Sequence, residues 1–357
     1  MVTIRHVAKH AGVSIATVSR VLNDSGYADP DTRAKVHAAI EALGYERNVH
    51  WSRLASQSSK TLVFLLGNRS TLNSMQMRLL IACEQTLRER GYDLVFSRMN
   101  YAPGDRDQTL ALPRILAQPG AVDGVVLVGL HFENLLQLLR QRKLPFVALG
   151  NNLHVDESSL DYNTVVYDDE NGVFEAVGYL ARLKHRRIAF VGNTRQSWFA
   201  RRYRGYERAI AEARLKPMAV TADWRVGNLD YGQMSAAELL RAATPPTGII
   251  AANDELAAGV WKELTRRRVA IPDQISLIGF GDRTEFSILE PSLTSVSVFE
   301  EQLGERLGLM LLELLQDDTR KLPKEVYPCK LMERHSCAPL ATPPVRMPVR
   351  NVSSSTS

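Results

Sequence analysis

Residues 1–23, MVTIRHVAKHAGVSIATVSRVLN, contain two short helical patterns separated by a glycine turn. The apolar stripe of the first amphipathic helix consists of Ile4, Val7, Ala8 and Ala11. Thr3 is placed to cap this helix, and Gly12 ends it because glycine adopts a left-handed backbone at little steric cost. Ser14 occupies the N-cap position of a second helix, predicted over residues 15–22. Two short helices joined in this way predict a helix-turn-helix.

A third helix is predicted to complete a small core around this pair. Asp29 supplies a capping carboxylate, and Pro30 suits the first helical position. Gly44 is expected to end the helix. The predicted inner faces are Val18, Val21 and Leu22 of the second helix, and Ala34, Val36, Ala39, Ile40 and Leu43 of the third. Such a three-helix unit places the start of its second helix in the major groove of DNA.

The motif TIRxVAKxAGVSxxTVSRVLN, followed by DTRxKV and IEALGY, runs without a gap over residues 3–45. It resembles the head of the lactose-repressor/galactose-repressor (LacI/GalR) family of bacterial transcriptional regulators, and the resemblance extends to about residue 335. The resemblance implies a DNA-binding head, a hinge, and a two-lobed body with an effector in the cleft between its lobes. It also implies a homodimer on a palindromic operator in double-stranded DNA, with repression as the expected effect.

Composition agrees with a nucleic-acid partner. The chain of 357 residues carries a formal net charge of +5 and has a pI of about 9.1. Residues 1–60 hold eight Lys and Arg against five Asp and Glu, a net charge of +3, together with four of the eight histidines. The head thus carries more than its share of positive charge, as contacts with phosphates require.

The chain shows no pattern of a membrane protein or an enzyme. Its apolar runs are too short to span a bilayer, and no secretion signal opens it. Three cysteines without CxxC spacing suit reduced thiols, so we expect a cytoplasmic protein. No Walker, GxGxxG, HExxH or GxSxG motif occurs, so we predict neither an enzyme nor a bound metal or cofactor.

From residue 61 onward, strand and helix patterns alternate, which predicts parallel sheets with helices on both faces. The length suffices for two doubly wound sheets, and the fold expected from the resemblance is all-α for the head and periplasmic-binding-protein-like α/β for the body. We expect the head at 1–47, a hinge helix or linker at 48–60, the two-lobed ligand-binding and dimerisation domain at 61–340, and a disordered tail at 341–357. The N-lobe is expected at 61–166 and 297–321 and the C-lobe at 167–296 and 322–335, with crossings near Tyr167, Val296 and Leu322.

Two groups of residues are expected to contact DNA. The first surrounds the start of the second helix, where Arg20 can pair with a guanine edge and apolar Ile15 and Ala16 suit a thymine methyl group. The second lies in the hinge, where the resemblance implies that Leu54 inserts into the minor groove. The complete prediction is Ser14, Ile15, Ala16, Thr17, Ser19, Arg20, Asn23, Tyr27, Asn48, Leu54 and Ala55. A solvated charge at Arg20, a packing role for Tyr27 and a plain flexible linker at Leu54 are the alternatives.

Seven residues are predicted to face the effector by the resemblance: Asn73, Tyr167, Arg202, Trp224, Asn253, Asp254 and Asp282. A helix-capping role is the alternative for Asp254. The family's usual polar positions are here Val128, Gly150, Gly281 and Val298, so much of a sugar-anchoring set is missing. We expect Arg202 to face the cleft unpartnered and a ligand with a carboxylate or phosphate to meet it, rather than a neutral hexose.

The sequence therefore predicts a DNA-binding regulator controlled by a small-molecule effector. Two other functions remain open. The cleft could be vestigial and the regulator controlled by a partner protein, or the body could be a Rossmann-like enzyme.

Overall fold

The computed structural model describes residues 2–22, 28–45, 58–106, 110–155, 161–286, 288–317 and 319–340. The chain divides into two compact units, Met1–Lys60 and Thr61–Ser357. The predicted fold class is confirmed, because the first unit is helical and the second contains two largely parallel sheets with helices. No helix of the described ranges is long and apolar enough to cross a membrane.

The first unit contains three helices, α1 (Ile4–Ala11), α2 (Ile15–Leu22) and α3 (Pro30–Leu43). Their ends follow from the local sequence. Gly12 and Gly44 adopt left-handed backbones after α1 and α3. The Ser14 hydroxyl accepts a hydrogen bond from the amide of Thr17 at 3.0 Å, and the Asp29 carboxylate accepts one from the amide of Thr32 at 3.1 Å. These contacts satisfy amide groups that a helix start leaves without partners.

The core of this unit contains residues from all three helices: Val7, Ala8, Val18, Val21, Val36 and Ala39. Leu22, Ile40 and Leu43 pack at its edge, as predicted. Ala34 was wrongly placed on the inner face of α3, because it is exposed. In a helix of 3.6 residues per turn, Ala34 lies about 200° around the axis from the fully buried Val36.

The second unit begins with a lobe built on a six-stranded parallel sheet in the order β13-β7-β5-β3-β1-β2. Its strands are β1 (Thr61–Gly67), β2 (Asp93–Met99), β3 (Gly124–Gly129), β5 (Phe146–Leu149), β7 (Thr164–Tyr167) and β13 (Glu325–Tyr327). Its helices are α4 (Ser74–Arg88), α5 (Arg114–Ala117), α6 (Glu133–Gln141) and α11 (Glu300–Gln316). Two short strands of the same lobe, β4 (His131–Phe132) and β6 (Leu153–His154), form a separate parallel pair. We call this part the N-lobe.

The C-lobe contains a second six-stranded sheet in the order β14-β12-β11-β10-β8-β9. Its strands are β8 (Ile188–Val191), β9 (Ala219–Val220), β10 (Gly248–Ala251), β11 (Ser276–Phe280), β12 (Thr294–Ser297) and β14 (Lys330–Met332), and only β14 is antiparallel to its neighbour. Its helices are α7 (Asp169–Arg182), α8 (Ser197–Glu212), α9 (Asn228–Leu239) and α10 (Asp254–Arg266). Because both sheets are mainly parallel, the loops at the carboxyl ends of their strands are available to form a site.

The sequence predicts the third crossing between the lobes near Leu322, but the structure places it later in the chain. Residues 325–327 form β13, which pairs in parallel with β7 of the N-lobe. The chain then reaches the C-lobe in β14, where Leu331 opposes Val296 of β12. The N-lobe therefore keeps the chain until Tyr327. The alternation pattern missed β13 because the strand has only three residues and lies at a sheet edge.

Two helices of the body have local boundary signals. Helix α5 is a single turn that begins only at Arg114 and ends at Ala117. Pro113 explains this start, since proline fits the residues before a helix better than its interior. Helix α9 follows Gly227, and Asp230 lies in its first turn.

Helices α7 and α8 pack closely through Gly205 of α8. A Cβ atom at this position would lie 2.0 Å from the carbonyl oxygen of Glu170 in α7. Gly178 of α7 differs, because its nearest heavy atom would be the mobile end of Arg182 at 3.7 Å. The same helix pair therefore contains one glycine required by backbone contact and one that is not.

We expect Gly205→Ala to destabilise the protein by about 1–3 kcal/mol, because the helices must separate to admit a methyl group. Gly178→Ala is the matched control and should be neutral or stabilising by up to about 1 kcal/mol, since alanine favours helices. Urea unfolding of both variants followed by circular dichroism measures the difference. Equal stabilities of the two variants would show that the close packing at Gly205 is not required.

Candidate functional sites in the head and in the cleft

The start of α2 presents a small accessible surface in the head. Ile15 is 44% exposed, although it is a large apolar residue, and Ala16 and Arg20 are exposed beside it. Val18 and Val21 are buried on the opposite face and hold the helix against α1 and α3. The exposed residues are thus fixed in position by a packed helix.

Two hydroxyls at this helix start are already engaged with each other. The side-chain oxygens of Ser14 and Thr17 lie 2.8 Å apart, and both residues keep part of their surface accessible. Ser19 is half-buried on the next turn. This geometry suits contacts with a phosphate backbone, because a hydroxyl can donate one hydrogen bond and accept others. The predicted residues Asn23, Tyr27, Asn48, Leu54 and Ala55 lie outside the described residues.

The second site is a cavity of about 430 Å³ between the two lobes of the body. Loops that follow β1, β5, β8, β10 and β11 form its walls. Four of the predicted effector residues line it, namely Asn73, Tyr167, Arg202 and Asn253. The oxygens of the two asparagine side chains also cap helices: Asn73 accepts from the amide of Gln76 at 2.9 Å and Asn253 from that of Leu256 at 2.8 Å.

Arg202 does not face the cleft unpartnered, so that expectation was wrong. Its Nε lies 3.6 Å from a carboxylate oxygen of the buried Asp169. Its guanidinium stacks over Phe280, with Cζ 3.7 Å from the ring centroid, and donates to the carbonyl oxygen of Ala252. Asp169 also accepts hydrogen bonds from Arg201, and Nε of Arg202 has no hydrogen-bond partner, so Arg202 has a counter-charge nearby but is only partly neutralised. The pairing of Asp169 with Arg202 was not predicted, because an acid in the first turn of a helix is common and does not indicate a buried ion pair.

Tyr167 lies beside this ion pair and is 3% exposed. Its hydroxyl is 3.5 Å from Nη2 of Arg202, the long limit of a hydrogen bond. Burial raises the pKa of the Tyr167 hydroxyl to about 12, so it stays neutral and can donate at physiological pH. Tyr167 can thus offer a hydrogen bond without adding charge to the cavity.

Arg69, in the loop after β1, was missed by the sequence analysis. Its guanidinium lies over the ring of Trp198, with Cζ 4.6 Å from the centroid, and its Nε is buried without a hydrogen-bond partner. Burial lowers the pKa of Arg69 from its ordinary value. Among the described residues, no carboxylate lies within ion-pair distance of it.

Asn152, in the loop after β5, is a second polar group that the sequence analysis missed. Its side-chain oxygen is buried and accepts no hydrogen bond. Both Arg69 and Asn152 could have been found by one general rule, since ligands of parallel α/β proteins bind at the carboxyl ends of strands. The seven residues predicted from the sequence are instead positions carried over from the family resemblance.

Three predicted effector residues lie away from the cavity lining. Trp224 packs against Tyr231, with ring centroids 4.8 Å apart. Asp282 pairs with Arg334 at 2.6 Å. Asp254 is buried and accepts hydrogen bonds from the amide of Arg283 at 2.7 Å and from the hydroxyl of Ser295 at 2.6 Å. Burial raises the pKa of Asp254 to about 6, and the residue ties α10 to the loop after β11 rather than capping its helix.

The four positions at which the family usually has polar residues fall into two groups. Gly281 and Val298 line the cavity, so apolar surface does replace polar groups there. Val128 belongs to the N-lobe core, and a Cβ atom on Gly150 would lie 2.6 Å from Val166. The absence of polar side chains at these last two positions therefore reflects packing as much as ligand preference.

Direct contacts join the two lobes around the cavity. The Ser74 hydroxyl donates to Glu285 at 2.7 Å, and Arg78 donates to the Thr284 hydroxyl at 3.1 Å. On another side, the ring Nε2 of His154 lies 2.9 Å from the hydroxyl of Ser197. These bonds are polar and largely exposed, so each contributes little to holding the two lobes together.

A helix-turn-helix unit with an accessible recognition helix, joined in one chain to a two-lobed α/β body with a cleft cavity, defines a DNA-binding regulator with a body of the ligand-binding type. The sequence comparisons agree with this class. Residues 3–48 match the family described as bacterial regulatory proteins, lacI family, and residues 177–337 match the periplasmic binding protein-like domain.

Catabolite control protein A of Priestia megaterium is 31% identical over 302 residues, which cover 83% of this chain and 87% of that protein. The HTH-type transcriptional regulator RegA of Clostridium saccharobutylicum is 29% identical over 339 residues, which cover 94% and 98%. The chain therefore belongs to the lacI family of bacterial regulatory proteins and is a DNA-binding transcriptional regulator.

Solved structures show the same fold. The crystal structure of the lac repressor dimer bound to operator and the anti-inducer ONPF gives a TM-score of 0.77 at 24% identity, covering 94% of this chain and 99% of that one. The complex of the transcriptional regulator CelR with cellobiose gives a TM-score of 0.65 at 26% identity, covering 94% and 100%.

The buried ion pair gives a direct test of the geometry at the cleft. Asp169→Asn should destabilise the protein by about 3 kcal/mol or more, because it leaves the guanidinium of Arg202 buried without a counter-charge. Glu170→Gln is the control in the same helical turn, since Glu170 pairs with the partly exposed Arg204 and Arg208. Its effect should stay within about 1 kcal/mol. Chemical unfolding measures both, and similar losses for the two variants would contradict the assigned role of Asp169.

Proposed function

We propose that this regulator represses transcription by binding a palindromic operator, and that a small molecule in the cleft between the lobes controls its operator affinity. The cavity of about 430 Å³ carries this proposal, because Arg69 belongs to its lining and has no carboxylate within ion-pair distance among the described residues. A guanidinium in a partly buried space is unfavourable unless water or an anion balances its charge, which suits a site that binds a ligand.

The exposed part of α2 supports the assignment of the DNA-reading residues. Arg20 can form a bidentate pair with guanine, while Ile15 and Ala16 provide apolar surface for thymine methyl groups. Ser14, Thr17 and Ser19 can bond phosphates and fix the register of the helix in the groove. Specificity then depends mainly on Arg20, Ile15 and Ala16.

A homodimer is proposed from the surface of the N-lobe. Helix α4 exposes Met77 and Ile81, which are 42% and 57% accessible, and the edge strand β2 exposes Phe96 at 42%. Large apolar side chains and an open strand edge on one lobe suit contact with a second copy of the chain. A twofold dimer would present two heads to the two halves of a palindrome.

Control by a small molecule is favoured over control by a partner protein alone. The related CelR is known as a cellobiose complex, and the cavity of this chain lies between corresponding lobes of the same fold. The polar contacts across the cleft are few, so a ligand that bridges both lobes can shift their equilibrium. A vestigial cleft would be expected to fill with apolar side chains instead.

We also propose that the protein acts in the cytoplasm, where its DNA partner is found, and that it has no catalytic role. Membership of a family of transcriptional regulators supports both statements. The polar groups of the cavity suit binding rather than bond cleavage, since the one carboxylate of its lining, Glu255, accepts a hydrogen bond from Asn228 at 2.9 Å.

Replacing Arg20 tests the DNA-reading surface. Arg20→Ala should remove about 1–3 kcal/mol of discrimination at one base pair of each half-site, because the guanidinium–guanine pair is lost. Binding selection from a randomised operator library, compared with the wild type, measures this change. Lys35→Ala is the control, since Lys35 is an exposed cation on α3. Unaltered base preference in Arg20→Ala would exclude a base-reading role.

Effector control can be measured by fluorescence anisotropy with a labelled operator. A compound found by thermal-shift screening should change operator affinity by about 5–150-fold, the usual range of allosteric coupling. Asn152→Ala should reduce the response, because it removes an amide side chain from the lining of the cavity. If calorimetry shows a saturated cleft while operator affinity stays the same, effector control is wrong and a partner protein becomes the better explanation.

A further inference from the structure

The charges around the cavity point to the kind of ligand it binds. Three guanidinium groups line the cavity, those of Arg69, Arg202 and Arg283, against the single carboxylate of Glu255. An excess of positive charge in a partly buried space is unfavourable unless water or an anion balances it. The question is which of the three arginines lacks a partner inside the protein.

Two of the three have a carboxylate nearby. Asp169 lies 3.6 Å from Arg202, whose guanidinium also stacks on Phe280. Glu285 lies 3.9 Å from Nη1 of Arg283. Only Arg69 has no carboxylate within ion-pair distance among the residues that the structure describes. Asp169 also accepts hydrogen bonds from Arg201, so Arg202 is only partly neutralised, and Arg69 is the arginine of the lining that has no carboxylate nearby.

The surroundings of Arg69 hold it in place for an incoming acid. Its guanidinium rests on the indole of Trp198 at 4.6 Å, which fixes one face. Because Nε is buried, an acid would meet the two Nη groups. The fork of donors on a guanidinium matches a carboxylate or a phosphate in a bidentate pair. Arg69 belongs to the N-lobe and Trp198 to the C-lobe, so an anion bound here contacts both lobes.

The amide side chains of the lining add a second preference. Asn152, Gln196 and Asn228 line the cavity, and an amide group can both donate and accept hydrogen bonds. A ligand with hydroxyl or amine groups beside its acid can pair with them. A neutral sugar could do the same but would leave the charge of Arg69 unbalanced.

We propose that the cleft binds a small organic acid that also carries hydroxyl or amine groups, with its carboxylate or phosphate paired to Arg69 and its other polar groups bonded to the amide side chains of the lining. This proposal rests on the proposed function, since it names the class of effector for the same cavity. It assigns the recognition of the acid to Arg69 and Trp198, and it gives Arg202 a positioning role at the wall of the cavity.

Isothermal titration calorimetry on the full-length protein, with probes matched in pairs, tests the proposal. D-Glucuronate and D-glucose share a pyranose ring and differ in the carboxylate, and glucose 6-phosphate and glucose differ in the phosphate, so the two pairs distinguish the carboxylate from the phosphate. We expect at least one acid to bind about tenfold or more tightly than glucose. If neither acid exceeds glucose, or if cellobiose and ribose bind better than both acids, the proposal is overturned.

Variants of Arg69 test whether this residue is responsible for the preference for an acid. Arg69→Gln should remove the preference for the acid, and Arg69→Lys should restore it in part, because a lysine keeps the charge but not the bidentate geometry. Arg195→Gln is the control, since Arg195 is a 75% exposed arginine that is absent from the cavity lining and pairs with Asp223. An acid preference that survives in Arg69→Gln, or disappears equally in Arg195→Gln, overturns the assignment.

Fluorescence gives an independent readout. The acid should change the emission of Trp198 by contacting the guanidinium above its ring, and this change should be absent in Trp198→Phe. Failure of the proposed function looks different, because the acid would then bind through Arg69 without changing operator affinity. Failure of the present inference leaves effector control intact with a neutral ligand whose affinity does not depend on Arg69.

Discussion

The ion pair between Asp169 and Arg202 is the contact on which the architecture around the cleft depends. Asp169 lies at the start of α7, directly after the first crossing between the lobes, and is 2% exposed. It accepts hydrogen bonds from Arg201 at 3.1 and 3.2 Å and partly neutralises Arg202. A buried carboxylate and a buried guanidinium are each unfavourable alone, so they persist only as a pair. The pair fixes α8 against α7 at the floor of the cavity, where Gly205 allows their backbones to approach.

Because Arg202 lies beside a carboxylate, residues of the rim have the larger influence on the charge of the cavity. Arg69 and Asn152 follow strands of the N-lobe, and Trp198 lies in the first turn of a helix of the C-lobe. The rim differs from the floor, since Arg69 has no carboxylate within ion-pair distance among the described residues, whereas Arg202 has Asp169. A protein that separates a paired structural arginine from an unpaired one in this way can change its ligand without disturbing its fold. Such a division is consistent with one scaffold serving many regulators.

Sequence patterns predicted the elements whose signals are local. The caps at Asp29 and Gly44 and the stripe through Val18 and Val21 depend on neighbouring residues, so the head could be predicted almost completely. The strands β1 and β3 were likewise visible as buried apolar runs. The partners of Arg202 could not be predicted, because Asp169, Phe280 and Ala252 come from separate elements that meet only in the fold. Asp254 and Ser295 also come from separate elements. The sequence therefore predicted a helix cap or a ligand contact for Asp254 and not its hydrogen bond with Ser295.

The contacts across the cleft explain how a small ligand could have a large effect. Ser74–Glu285, Arg78–Thr284 and His154–Ser197 are individual polar contacts between mostly exposed groups, and each is weak in water. These polar contacts exchange readily with water, and a ligand that binds one arrangement of the lobes more tightly than another shifts the equilibrium toward it. An anion at Arg69 would supply that difference, since the guanidinium is held between the N-lobe loop that carries it and an indole of the C-lobe. Opening the lobes would remove Trp198 from Arg69 and expose the ion pair to water, which weakens it. The unpaired charge thus links recognition of the ligand to the position of the lobes.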